Sequence, residues 1–223
     1  MTVRSLIFVM VAGLTACADS GDGDHDQDDP RNFTPGPSTL RGHLSTPRGM
    51  SLPADGTVQL RAERKYDGAQ VATPALPVEI GRIAVRADAA DALIVDQLTF
   101  DVGDITIGAA AVPPDGVTLT DIQVRLARPV IIDRTIWSDD GSFASGEVRF
   151  DLLLDWALLG GGGQVFPLAT QHIDGVPARL SVGMGADGVV TATLDAQTGG
   201  VFWSWAGIME LSDLHLELQA VEP

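Results

Sequence analysis

One cysteine, Cys17, occurs in 223 residues. No intrachain disulfide can form, so a folded domain here must be held by its core rather than by covalent staples. Basic residues are scarce: 14 Lys and Arg stand against 30 Asp and Glu, for a net charge of −16. Phosphate binding needs a basic surface, which argues against nucleic acid as a partner. No apolar run approaches the ~20 residues of a membrane-spanning helix. Catalytic signatures are missing as well. There is no GxSxG, no HExxH and no GxxxxGK[ST]. The run Gly160–Gly163 is followed by Gln164 and has no lysine to meet a phosphate, so it reads as a connection between strands. A nucleophile would have to be Ser or Thr with His172 or His215 as base, and no spacing fixes such a pairing. No cofactor is expected.

What is present begins at the amino terminus with MTVRSLIFVMVAG. Arg4 precedes an apolar core from Leu6 to Leu14, too short to span a bilayer but right for the h-region of a secretory signal peptide. The core ends in Leu14-Thr15-Ala16-Cys17. That arrangement resembles the lipobox of bacterial lipoproteins, and the resemblance covers residues 1–17 only. It implies that residues 1–16 are cut away as a leader. It further implies that the Cys17 thiol carries a diacylglyceryl thioether, a bond that needs a nucleophilic thiol, and that the new amino terminus is acylated. Several acyl chains hold a protein on a bilayer where one would not. Ala18 rather than Asp follows the cysteine, so the resemblance points to the outer rather than the inner membrane of a bacterial cell envelope.

Residues 17–40 then read as the lipidated cysteine and a disordered acidic tether. Asp19, Asp22, Asp24, Asp26, Asp28 and Asp29 face a single Arg31, and such a segment buries almost nothing and extends by self-repulsion. Asp22, Asp24 and Asp26 imitate the first ligands of a calcium loop. Gln27 stands where that loop needs glycine, and Phe33 where it needs Glu, so a solvated spacer is the better reading. Without the leader the chain carries −17, the tether −5 of it, leaving −12 on the domain.

Residues 41–223 are long enough for a single domain with a real core. Their pattern is period two. Val148, Phe150, Leu152, Leu154 and Trp156 alternate with Arg149, Asp151, Leu153 and Asp155. A ladder from Val176 to Met184 is answered, after Ala186-Asp187-Gly188, by Val190, Ala192 and Leu194, which predicts a hairpin. Leu214, Leu216, Leu218 and Ala220 form another ladder. Further strands fit residues 57–64, 78–87, 93–102, 117–127, 130–137 and 200–209, and the phase slip between Leu119 and Ile122 predicts a bulge near Asp121. No helical period appears beyond the leader. About ten short strands between turn signals predict an all-β antiparallel sandwich, with a closed β-barrel as the alternative.

Three features are candidate sites. His172 with Asp174, and His215 with Glu217, sit two apart and share a strand face within reach of one metal ion, but a site needs three or four ligands. Asp139-Asp140 is an acidic tip without calcium-loop spacing. In GVFWSWAGIM, Trp203 and Trp205 share one face while Phe202 and Ile208 occupy the other. These tryptophans form either core or a platform for a sugar ring or apolar ligand, and core packing is the simpler reading. The expected function is a lipid-anchored, non-enzymatic binding or adhesion module for a protein or glycan. A carrier or sensor of an apolar ligand is the alternative, and an enzyme ranks third.

Overall fold

The structure, a computed structural model, describes residues 39–223 except 47, 72–74, 91, 111, 113, 133–135, 139–141, 161 and 206–208. Cys17, residues 18–38 of the tether, Asp139, Asp140 and Ile208 therefore lie outside the described residues. One short helix, α1 (Leu40–Leu44), precedes the strands. Thr39 caps it by accepting a hydrogen bond from the Gly42 N–H. Leu40 and Leu44 are buried in the common core, so the packed domain reaches into the segment read as tether. A helix of five residues is too short to show a period, which is why the sequence pattern missed it.

Fourteen strand segments follow: β1 (Met50–Arg64), β2 (Gln70–Val71), β3 (Ala75–Ala87), β4 (Leu93–Val102), β5 (Ile105–Ile107), β6 (Val117–Leu126) and β7 (Val130–Ile132), then β8 (Ile136–Trp137), β9 (Phe143–Ala144), β10 (Val148–Leu159), β11 (Val165–Pro167), β12 (Gln171–Met184), β13 (Val190–Trp205) and β14 (Met209–Val221). All form one antiparallel sheet. Along it β10 pairs β6, β6 pairs β4, and the path continues through β3, β1, β14 and β13 to β12. Finally β12 pairs β10, so the path returns to its start and eight strands close a barrel. This corrects the expectation of a sandwich. Alternation of period two is common to both architectures. What separates them is the pairing of β1 with β14 and of β10 with β12, which local sequence does not encode.

The remaining segments are continuations. Segment β11 pairs the end of β10 just beyond where β12 pairs its start. Likewise β5 and β7 extend the β4–β6 ladder at its two ends. Bulges interrupt the long strands. On β6 the bulge falls at Asp121 (φ 52°), where the four residues from Thr120 to Gln123 oppose the three from Ala157 to Asp155, as the phase slip predicted. Others lie at Gly175 (φ 64°) on β12 and Asp213 (φ 54°) on β14. The Asp-Gly hairpin joins β12 to β13, with Met184 opposite Val190. Residues 200–209 are not one strand: they hold the end of β13, a connection, and the start of β14.

The barrel is apolar inside and polar outside. Phe100, Phe150, Leu152, Leu154, Trp156, Leu194 and Leu216 are buried, and an eight-strand barrel is just wide enough for such side chains to fill. Arg61, Glu63, Thr193, Asp195, His215 and Glu217 point outward. A lipid-facing barrel has the opposite polarity, with an outward apolar band. Here the exposed large apolar residues among those described include Ile80, Ile131 and Val201 on separate strands, and a small group of Leu159, Val165 and Phe166 where β10 meets β11. No helix among the described residues is long and apolar enough to cross a membrane.

Candidate functional site

The barrel wall is uneven. Between β12 and β13 the ladder runs from Met184↔Val190 to Ala178↔Ala196 and stops. Beyond that point β12 continues back through residues 171–177 paired only to β10. Strand β13 continues through residues 197–205 in register with β14, with no ladder to β12 among the described residues. The two strands fork, and among the described residues no cross-strand pairing joins their far halves.

Local chemistry explains how β12 leaves its neighbour. Pro177 has no N–H to give to a ladder, and proline within a sheet belongs to unpaired edges. Two residues earlier, Gly175 takes the positive φ of the bulge. Its freed backbone groups are taken up by side chains of β10. The Gly175 N–H donates to Asp151 Oδ1 at 2.9 Å, and Arg149 donates to the Gly175 carbonyl at 2.9 Å. That N–H, with Arg128 beyond it, holds the Asp151 carboxyl below its ordinary pKa. Asp155 is lowered in the same way, first by the Thr170 hydroxyl and then by Arg125. Both carboxylates tie the departing strand to β10.

On the β13 side, Gly199 and Gly200 bulge away from β14 between Thr198↔Leu214 and Val201↔Ser212. A Cβ on Gly199 would lie 3.0 Å from Asp213 Oδ1. Asp213, at its own bulge, accepts from Arg61 at 2.9 Å, and Arg61 also reaches Glu63 at 2.9 Å. These bonds, that to Asp213 foremost, raise the guanidinium pKa.

A groove of 540 Å³ opens at the fork. Its walls are Pro177 and Ala178 on one strand and Gln197, Thr198 and Gly199 on the other. Glu147, Asp195 and Asp213 contribute carboxylates against the single cation Arg179. Within the barrel, Trp156 of β10 meets Trp203 of β13 edge to face, with ring centroids 5.3 Å apart. Since β12 lies between β10 and β13 in the wall, this contact fills the interior behind the fork. The Trp156 Nε1–H is buried without a hydrogen-bond partner.

Trp203 is therefore core, 9% exposed, as the simpler reading expected. Phe202 is buried too, and Val201 is exposed. Trp205 belongs to β13 and pairs with Met209. His172 and Asp174 are exposed on the outer face of the departing half of β12. His215 gains a neighbour that spacing could not reveal: its Nε2 lies 3.5 Å from Asp195 and 3.4 Å from Glu217. Among the described residues no group of three His, Cys, Asp or Glu has the geometry to hold a metal. Of the glycine run, Gly160, Gly162 and Gly163 lie between β10 and β11, where the Gly160 N–H donates to the Gln164 carbonyl at 2.8 Å.

No family model and no curated protein matches the chain. Among solved structures it is similar to Ail, the attachment invasion locus protein of Yersinia pestis, in a complex with the heparin analogue sucrose octasulfate. The identity is 9%, the match covers 77% of this chain and 97% of Ail, and the TM-score is 0.41. Similarity at that level transfers no property of Ail to this chain.

Proposed function

We propose that this chain is a lipid-anchored binding module of the bacterial cell envelope, without catalytic activity, whose partner is a protein. The anchor reading rests on Leu14-Thr15-Ala16-Cys17 and its apolar leader, and the absence of an aspartate after Cys17 favours the outer membrane. The polar outer face of the barrel supports the same division of labour. Among the described residues the outward face is mostly polar, which favours attachment through acyl chains on Cys17.

The observation that carries the binding reading is the fork between β12 and β13, where the ladder stops at Ala178↔Ala196 and a groove opens. The −12 charge of residues 41–223 favours basic protein segments over acidic glycans or nucleic acid. The interior rings of Phe100, Phe150, Trp156 and Trp203 take up the space that a carried apolar ligand would need.

Membrane fractionation of Cys17→Ser beside the parent tests the anchor. The variant is expected in the soluble fraction with its leader uncleaved or miscleaved. Retention in the membrane fraction equal to the parent contradicts the lipoprotein reading.

A further inference from the structure

Going beyond the partner reading and resting on its anchor alone, we infer a second contact with the membrane that holds Cys17. The end of the barrel built around the β10–β11 hairpin lies in the lipid headgroup region. The two ends of the barrel differ in chemistry. One carries the start of β1 and the close of β14, where Gly42 and His43 of α1 line one groove with Met50 and Glu222. The connections at that end hold charge: Asp88 between β3 and β4, Arg128 between β6 and β7, Asp187 between β12 and β13.

The opposite end is poor in charge. Its β10–β11–β12 connection falls within residues 156–171 and its β13–β14 connection within residues 196–209. Neither stretch contains Asp, Glu, Lys, Arg or His. On the far side of β10, where Leu159 pairs with Thr118, residues 105–114 are uncharged as well, between Asp104 and Asp115. Charge returns in the β1–β2 turn, where Arg64 is paired with Asp67 and Lys65 with Glu210.

Apolar side chains project from this end. Leu159, Val165 and Phe166 of the hairpin are exposed, Phe166 by 51%, and Val201 of β13 is exposed by 56%. The Phe166 ring lies over Gly160, where a Cβ would stand 2.8 Å from its Cε2. Beyond it the tip is open, for a Cβ on Gly162 or Gly163 would meet nothing within 4 Å. Exposed apolar groups on an uncharged projection gain free energy by leaving water.

The anchor decides what covers them. Residues 18–38 give Cys17 a reach of at most about 70 Å from the domain. A barrel with strands of this length and tilt is only about 40 Å tall, so the tether lets either end meet the bilayer. Bringing the first end to lipid would strip water from charged side chains, whereas the second has apolar groups to bury at shallow depth. The net negative charge of the domain sets the lipid: zwitterionic headgroups accept it and anionic ones repel it.

The test uses the full lipidated chain in phosphatidylcholine vesicles, with a fluorophore on a cysteine introduced at either end. Gln164→Cys places it in the β10–β11 hairpin, and Ala186→Cys in the β12–β13 hairpin. The label at position 164 is expected to lose most of its emission to lipids brominated near the headgroup and little to aqueous iodide. The label at position 186 is expected to show the reverse. Adding Phe166→Asp to Gln164→Cys is expected to return that label to iodide.

Equal iodide quenching at the two positions would overturn the inference, as would a pattern that Phe166→Asp leaves unchanged. A label at position 164 shielded from iodide but unaffected by brominated lipid would assign the end to protein, a second copy included, and also overturns it. The parent, whose sole thiol is Cys17, is expected to take up no fluorophore. Uptake by the parent would contradict the anchor alone, and the two positions, read as differences from the labelled parent, still decide which end meets lipid.

Discussion

Along the β1–β14 seam, pairing runs from Ala54↔Ala220 to Arg64↔Met209, whereas along β12–β13 it runs from Met184↔Val190 and ends at Ala178↔Ala196. The first seam joins the two ends of the strand order, and its backbones approach so closely that Gly56 has no room for a side chain. A Cβ there would sit 2.0 Å from the Glu217 carbonyl oxygen. At the second seam, a Cβ on Gly200 would meet nothing within 4 Å. The difference teaches how a strand leaves a sheet without orphaning its backbone. Proline removes one donor, and neighbouring side chains take the groups that a bulge releases.

Substitutions can break this comparison at either seam. The largest effect is expected inside the barrel behind the fork. Trp203→Ala removes a buried ring that packs on Trp156 and should cost about 3–5 kcal/mol by thermal or denaturant unfolding. An unchanged melting temperature would mean that the fork exposes the ring, and would revive the platform reading. Gly56→Ala follows, at about 2–3 kcal/mol, because its methyl collides with backbone that cannot yield without opening the seam. Gly200→Ala, into open space, should cost less despite its φ of 134°.

Asp151→Ala is expected to cost about 1–3 kcal/mol, since it leaves the Gly175 N–H and Arg128 without their shared acceptor. Its pH dependence has a fixed sign. The Asp151 and Asp155 carboxyls have lowered pKa values in the folded protein. Their contribution is therefore complete above the unfolded carboxylate value of about 4 and is lost as pH falls through the lowered folded values. Both side chains are substantially solvated, so the contribution is small. Acid unfolding of the parent and of Asp151→Ala should converge at the lowest pH; a gap that persists there would assign the loss to packing.

Much of the wall was legible in the sequence. Alternation marked the ladders of β10, β12, β13 and β14, Asp187-Gly188 marked their hairpin, and the slip between Leu119 and Ile122 marked the Asp121 bulge. Closure was not, because the β1–β14 contact joins residues far apart in the chain. Signals of the fork were present but ambiguous. Pro177 inside an alternating run argues for an unpaired edge, yet only the register shows which neighbour is missing. The pairing of Asp195 with Glu217 across β13 and β14 likewise brings three ionisable groups together at His215, where sequence spacing supplied two.

Residue-resolved hydrogen exchange of β13 tests the uneven wall most directly. From Val190 to Ala196 the strand is bonded on both sides, so every amide in that half should exchange slowly. From Gln197 to Trp205 the ladder to β12 has ended and the register with β14 shifts twice, so protection should be weaker and uneven along the far half. Uniformly slow exchange from Val190 to Trp205 would show that β12 and β13 stay paired throughout, and would contradict the fork on which the binding site depends.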